Sequence, residues 1–313
     1  MNYLNIFLFI TSFCFLGSCQ CDKIQETFIT ENVIIIVVDG ARYSESWGDP
    51  SRSNIPNLDT LSSEGVFFPN FFNCGDTRTV PGHAALLTGV YEGLDNTGSD
   101  TPTNPSIFQC WSKKYKTASS QSWVIASKDK LEVLGNCTRK GWEGEFLPRT
   151  HCGVNGLGQL SGYQDDSLTV VQGLSILNTH HPKLSLFNLR EPDYSGHGGI
   201  WSEYINGLQK SDEYVKQILE FIKNDPIYAG KTTVFITSDH GRHLDGVQEG
   251  VSGHGDDCEG CQRIGLLAIG PDFEPGKVVE TTYSQIDVPA TIARMLRFKM
   301  KFSKGRSMRE LFD

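Results

Sequence analysis

The run Val33-Ile34-Ile35-Ile36-Val37-Val38 ends on Asp39 and Gly40. A half-exposed strand would carry a polar residue at every second position. Six β-branched aliphatic residues in a row instead suit a strand covered on both faces. A carboxylate at the tip of such a strand leaves water and needs a partner that offsets its desolvation. A metal ion is one such partner, and the rest of the chain must then supply its other ligands.

The same grammar recurs along the chain. Further strand patterns are "VFFPNFF", "SWVIAS", "KLSLFNLRE", "TTVFITSD" and "RIGLLAIG". Between them lie helical patterns: "PNLDTLSSEG", "PGHAALLTG", "PSIFQCWSKKY", "DDSLTVVQGLSILNTH", "WSEYINGLQKSDEYVKQILEFIKND" and "SQIDVPATIARML". The second helix is expected to begin near Pro81 and stop at Gly89, since Pro suits a first turn and Gly the position past a last one. Asp165 or Asp166 is expected to cap the fourth. Residues 130–165 are rich in Gly and Cys and read as an irregular surface excursion. Strand–helix alternation predicts an α/β fold, a doubly wound, mainly parallel sheet with helices on both faces.

The chain has 313 residues, 38% hydrophobic and 21% charged, enough to build a sizeable core. The formal charge of −9 excludes a basic track for a nucleic-acid polymer. It leaves open a small anionic substrate, because bound metal reverses the local field. The apolar segment "LNIFLFITSFCFLGSC" is shorter than the ~20 residues of a membrane span and reads as a signal-peptide core. Its end, Leu16-Gly17-Ser18-Cys19, resembles a bacterial lipobox, although no Lys or Arg precedes the apolar run. The expected organisation is a signal peptide at 1–18, a lipid anchor at Cys19, a linker at 19–31 and one metallohydrolase domain at 32–313. The protein is then exported to the bacterial cell envelope, facing the periplasm or the outside. Beyond the signal and anchor seven cysteines remain, an odd number. Cys258 and Cys261 form a CxxC without the second pair of a zinc ribbon, so a local disulfide is expected there.

Sites in doubly wound sheets gather at the carboxyl ends of strands. Three acids sit there: Asp39, Asp193 in "EPDYSGH", and Asp239 in "TSDHG". His197 and His240 accompany the last two, and His254 follows in "SGHGDD". Each signal alone has an ordinary explanation in turns and caps. Their convergence on one edge of one sheet favours metal binding, and mixed carboxylate and imidazole donors suit Zn²⁺ over Ca²⁺ or Mg²⁺. Asp39 as a phosphate-accepting nucleophile is an alternative, though the DxD pair of such enzymes is absent. Thr79 lies ahead of the Pro81 helix, either as its N-cap or as a nucleophile beside a phosphate-binding helix terminus. A helix terminus contributes only about 0.3–1 kcal/mol, far too little to activate an alcohol. A nucleophilic Thr79 therefore needs a metal.

This ordered set resembles the alkaline phosphatase superfamily, particularly its nucleotide pyrophosphatase/phosphodiesterase branch. Shared are VxDG on the first strand, a Thr before a Pro-containing helix ending in LxTG, then "EPDYSGHGG", "TSDHG" and a late His, over residues 32 to 297. The resemblance implies a two-zinc hydrolase of phosphate esters. Asp39, Asp239 and His240 would hold one Zn²⁺ with Thr79 as a further ligand, and Asp193, His197 and His254 the other. Thr79 would form a phospho-threonine intermediate. Asn96 is the candidate for the Asn that stabilises the transferred phosphoryl group, and His243 competes with His254 as last ligand. Sulfatases of this fold use Cys or Ser within C/S-x-P-x-R, whereas this chain reads Thr79-Val80-Pro81-Gly82-His83, which disfavours their chemistry. Diesters or nucleotide-like substrates are expected. A phosphomonoesterase is the alternative, with Arg139 and Lys140 as possible extra cations, as is a sulfate or phosphonate ester hydrolase. A lipid-anchored protein that binds metal or phosphate without turnover is the reading of another class. His83 is expected to pack in its helix, His151 to be exposed, and Arg78, Arg190 and Arg242 to make surface or supporting pairs.

Overall fold

The structure, a computed structural model, describes residues 26–312. The signal and lipobox expectations lie outside the described residues. Among the described residues ten strands form: β1 Asn32–Val38, β2 Val66–Phe68, β3 Phe71–Phe72, β4 Ser122–Ala126, β5 Arg149–Cys152, β6 Leu184–Leu189, β7 Thr232–Thr237, β8 Leu266–Ile269, β9 Lys277–Val278 and β10 Tyr283–Ser284. Eight make one sheet in the order β5-β4-β6-β1-β7-β8-β2-β9, and β10 pairs with β3 apart from it. Pairing is parallel from β5 through β4, β6 and β1 to β7. It turns antiparallel at β8, on both its sides.

The helices are α1 Pro56–Ser62, α2 Thr79–Thr88, α3 Ile107–Tyr115, α4 Asp166–His180, α5 Asp193–His197, α6 Trp201–Asn224, α7 Glu259–Gln262 and α8 Asp287–Met295. The unbroken aliphatic run of β1 is explained by two cores. Val33, Ile35 and Val37 face Val80, Ala84, Leu87, Phe108 and Ile292 of α2, α3 and α8. Ile34, Ile36 and Val38 face Leu58, Val170, Leu208 and Val215 of α1, α4 and α6. Every β1 residue is buried, and a polar side chain on either face would meet a core.

Five expectations need correction. Helix α2 starts at Thr79, two residues before Pro81, with Arg78 as the flanking residue and Gly89 in a left-handed stop (φ 72°). Asp165 flanks α4 but makes no side-chain cap bond; it pairs with Arg190, and Asp166 instead accepts from Ser127 and from the Arg190 and Glu191 amides. The 130–165 stretch is no mere excursion: it adds β5 to the sheet edge and buries Leu131, Leu134, Cys137 and Cys152. His151 accordingly sits half-buried on β5, 2.7 Å from Gln172 Oε1. Among the described residues all six cysteines, including Cys258 and Cys261, are free thiols. Cys258 precedes the single turn of α7 and Cys261 lies within it, and both sulfurs approach His243 and Asp256.

Gly173 shows how tightly α4 lies on the sheet. A Cβ there would stand well inside van der Waals contact of Phe187 Cε1 and 3.3 Å from Ile125 Cγ2. Ala gains up to about 1 kcal/mol over Gly in helix propensity, but overpacking costs about 1–3 kcal/mol. Gly173→Ala is expected to lower the urea midpoint at unchanged m-value; a midpoint at or above wild type would show that α4 can retreat from β6.

Candidate active site

Asp39 directly follows β1, Asp193 opens α5 after β6, and Asp239 lies two residues beyond β7. Because β6, β1 and β7 are parallel neighbours, the three carboxylates emerge at one edge. The Asp39–Gly40 turn lets them close up: the Asp193 amide donates to Asp39 O at 3.0 Å, and Gly40 has φ +68°. A Cβ at Gly40 would stand 2.7 Å from Asp193 Cβ, so glycine is required both for the turn and for the approach.

Two ligand sets result, each with donor atoms within 4.8 Å of one another: Asp39, Asp239 and His240, and Asp193, His197 and His254. Asp239 Oδ1 accepts from the Gly40 and His240 amides. Its Oδ2 has no hydrogen-bond partner, and neither has His240 Nε2, 3.3 Å away. His240 Nδ1 lies 2.8 Å from Gly241 O, which holds the proton on Nδ1 and turns the Nε2 lone pair toward the carboxylates. Burial pushes this imidazole down to about 3, against the pull of Asp239. His254 repeats the arrangement: Nδ1 faces Thr77 O at 2.8 Å, and Nε2 lies 3.4 Å from Asp193 Oδ1 and 3.3 Å from His197 Nε2. Burial lowers it to about 4. His254, and not His243, is therefore the imidazole against Asp193.

Lys128, just beyond β4, stands at the centre. Its Nζ lies 2.8 Å from Asp39 Oδ1, 2.6 Å from Asp193 Oδ2 and 3.2 Å from Thr79 Oγ1. Burial opposes its charge, but Asp193, Asp39 and Asp239 outweigh burial and raise its pKa. The buried Asp193 is held well below the usual carboxylate range, Lys128 and Arg242 among the causes that overcome its desolvation. Arg242 is fully buried and pairs with Asp193 Oδ1, the supporting role expected of it. Arg78 and Arg190 pair with Asp76 and Asp165. Lys130, lowered to about 8 by burial and by Lys128, reaches Asn96 Oδ1 at 3.2 Å.

Thr79 is 1% exposed at the first position of α2. It is not the N-cap. The Val80 amide is taken by Asn96 Oδ1 at 2.9 Å, so Asn96 does the capping and the Thr79 hydroxyl points to Lys128. With Asn96 Oδ1 engaged, donation to a bound anion falls to its amide nitrogen. His83 does more than pack: Nδ1 lies 2.8 Å from Thr79 O and 3.3 Å from Asp239 Oδ2. Asn188 of β6, unnoticed in the sequence, donates to Asp39 Oδ2 at 2.9 Å. Arg139 is engaged by Asn104 and the Phe302 ring, Lys140 is exposed, and Lys128 and Lys130 hold the central position instead.

Three carboxylates against Lys128, Arg242 and the nearby Lys130 leave no net charge. The chain alone gives an anion no net attraction, whereas a divalent cation between Asp239 Oδ2 and His240 Nε2 would satisfy both orphaned atoms and make the site positive. In the first ligand set Asp239 Oδ2 and His240 Nε2 fit a metal as they stand, while Asp39 would share its oxygens with Lys128 and Asn188. In the second set both Asp193 oxygens are already paired, so a cation there must compete with Lys128 and Arg242.

The fold is that of the alkaline phosphatase superfamily, which includes hydrolases such as sulfatases and phosphodiesterases. Within it the chain belongs to the Sulfatase family, which residues 31–297 match. Curated relatives include human ectonucleotide pyrophosphatase/phosphodiesterase family member 1, 25% identical over 71% of this chain and 25% of the relative. Rat family member 3 is 24% identical over 74% of this chain and 27% of its own. The chain thus spans about a quarter of the length of these relatives. Similar solved folds are a phosphonate monoester hydrolase from Silicibacter pomeroyi (TM-score 0.63, 14% identity, 90% of this chain and 76% of that one) and an alkaline phosphatase superfamily protein from Vibrio parahaemolyticus (TM-score 0.65, 16%, 91% and 71%).

Lys128 is the counter-charge that Asp39 and Asp193 share. Lys128→Met leaves Asp39 without a cationic partner and Asp193 with Arg242 alone, and breaking a buried pair costs about 3–5 kcal/mol. In chelator the variant should lose about that much stability by denaturant titration, and divalent metal should restore more to it than to wild type. Equal stability in chelator would mean that the carboxylates are not held together by Lys128.

Proposed function

We propose that the chain is a metal-dependent hydrolase of phosphate esters that works through a phospho-threonine at Thr79. One observation carries this reading: a buried threonine hydroxyl that is released from capping sits 3.2 Å from Lys128 Nζ, and that ammonium spans Asp39 and Asp193. A divalent ion held by Asp39, Asp239 and His240 would supply positive charge and lower the pKa of an adjacent hydroxyl. Asp193, His197 and His254 are the donors for a second ion, Zn²⁺ being the metal that this mixed set suits.

The Thr79 hydroxyl gives its proton to solvent water and its oxygen bonds to phosphorus while the ester P–O bond breaks. The leaving oxygen takes a proton from water. Water then cleaves the Thr79–phosphate bond, which restores the hydroxyl and frees the product. Lys128 stays protonated and stabilises the negative charge that develops on Thr79 Oγ1 as its proton leaves. Asn96 fixes the start of α2, and with it the direction of the hydroxyl. The family's name does not settle the leaving group, since Thr79 stands where formylglycine chemistry needs Cys or Ser.

Similarity to nucleotide pyrophosphatase/phosphodiesterases supports a diester or nucleotide-like substrate. Lys128 and Lys130 favour a second reading, a dianionic monoester, because they add cationic charge beyond that of the metals. The apolar leader ending at Cys19 supports export and lipid anchoring; among the described residues no helix is long and apolar enough to cross a membrane.

Thr79→Ala should abolish turnover of aryl phosphates while bound metal is retained; an active variant would rule out the covalent route. Rates on p-nitrophenyl phosphate, bis-p-nitrophenyl phosphate, an aryl phosphonate and an aryl sulfate assign the substrate class. Lys128→Met should depress the monoester rate more than the diester rate, and an equal loss on both would place Lys128 outside the ester-specific contacts. Absence of turnover on all four with metal bound would favour a binding protein.

A further inference from the structure

His243, Asp256, Cys258 and Cys261 converge outside the catalytic site, their ligating atoms all within 4.8 Å of one another. His243 is 3% exposed, and neither ring nitrogen makes a hydrogen bond. Its Nε2 nevertheless lies 3.2 Å from Asp256 Oδ2, and its Nδ1 lies 3.2 Å from Glu249 Oε2. A buried imidazole without hydrogen bonds is costly, and two such close approaches need an explanation. Donor atoms around one tetrahedral zinc, each about 2.0–2.3 Å from it, stand roughly 3.3–3.8 Å apart. The Nε2–Oδ2 separation is close to that edge, and Glu249 then occupies the place of a carboxylate that holds the far ring N–H of a metal-bound histidine.

We infer that His243, Asp256, Cys258 and Cys261 form a third, structural metal site selective for Zn²⁺. Two thiolates, an imidazole and a carboxylate make a closed four-donor set, soft enough to prefer zinc over calcium or magnesium. The set supplies what the lone CxxC lacks in sequence, because the remaining donors lie three residues after His240 and two residues after His254. The two sides of the 240–261 loop are already tied by the His243 amide to Gly253 O at 3.0 Å, and Thr77 Oγ1, donating to Asp256 O at 2.6 Å, ties the loop to the segment ahead of α2. A metal here fixes both His240 and His254, the outer ends of the two catalytic ligand sets. That consequence rests on the function proposed above; the site itself does not.

The site can be read apart from catalysis, because the catalytic donors contain no sulfur. The full chain, reduced, stripped of metal and reloaded with Co²⁺, should show thiolate-to-cobalt charge-transfer absorption. The band should vanish in Cys258→Ser and Cys261→Ser and persist in Asp239→Asn, which disables the catalytic set only. Elemental analysis of the zinc-loaded protein should find one metal equivalent fewer per chain in the cysteine variants than in wild type. If a cysteine variant does not fold, wild type alkylated at its thiols before cobalt loading replaces it, and His243→Ala, which keeps both thiols, should weaken the band. No thiolate band in the reduced wild type overturns the inference, as does a Cys258–Cys261 disulfide found by peptide mapping of the isolated, unreduced protein.

Discussion

Three carboxylates are held at the mouth of one parallel sheet, and their mutual repulsion is the constraint around which the rest is arranged. Asp39 and Asp239 are fully buried and Asp193 nearly so. Removing each charge from water costs several kcal/mol even after relaxation. The fold answers with fixed donors: amides on Asp239 Oδ1, Asn188 on Asp39 Oδ2, Arg242 on Asp193 Oδ1, and Lys128 between Asp39 and Asp193. What remains unanswered is Asp239 Oδ2 with His240 Nε2. The unpaired remainder of an otherwise satisfied network marks the place where a cation belongs.

That arrangement explains which parts of the site can be read from sequence. Acids at the ends of aliphatic runs are visible because a carboxylate at the tip of a buried strand such as 33–38 needs a partner, and three of them converge on one edge. His197, His240 and His254 are visible by their neighbours. Lys128 is not, although the same rule places it: "SWVIAS" is a strand of the same sheet, and Lys128 stands just past its end. A search for metal ligands collects acids and imidazoles and passes over an ammonium, even though a crowded anionic edge requires a counter-charge. The excursion at 130–165 is misread for a related reason. Its Gly and Cys content suggests a loop, but the Arg149–Cys152 strand pairs in parallel with β4, and pairing with a distant strand leaves little trace in four residues of local sequence.

Loop geometry was the less legible part. His243 and His254 are equivalent by spacing, and only the fold separates them. The 2.8 Å contact of His254 Nδ1 with Thr77 O aims its other nitrogen at Asp193, while the Gly253 carbonyl holds the His243 backbone so that its ring turns toward Cys258 and Cys261. The same loop therefore feeds two different donor sets from its two sides. The expectation of a disulfide at the CxxC came from counting cysteines within the sequence, where the imidazole and the carboxylate that approach the thiols cannot be seen.

The position of Thr79 ties these observations to chemistry. As an N-cap, its oxygen would be spent on an amide of α2 and could not also attack phosphorus. Asn96 removes that conflict by reaching across from a separate loop to take the Val80 amide. The threonine side chain is left at the first position of the helix, buried, and directed into the cluster of Lys128, Asp39 and Asp193. A capping bond is worth about 1 kcal/mol, and supplying it from elsewhere costs the fold little. Leaving a hydroxyl buried beside an ammonium and three carboxylates has no comparable structural benefit, and that imbalance argues that the site is kept for the reactivity of the oxygen.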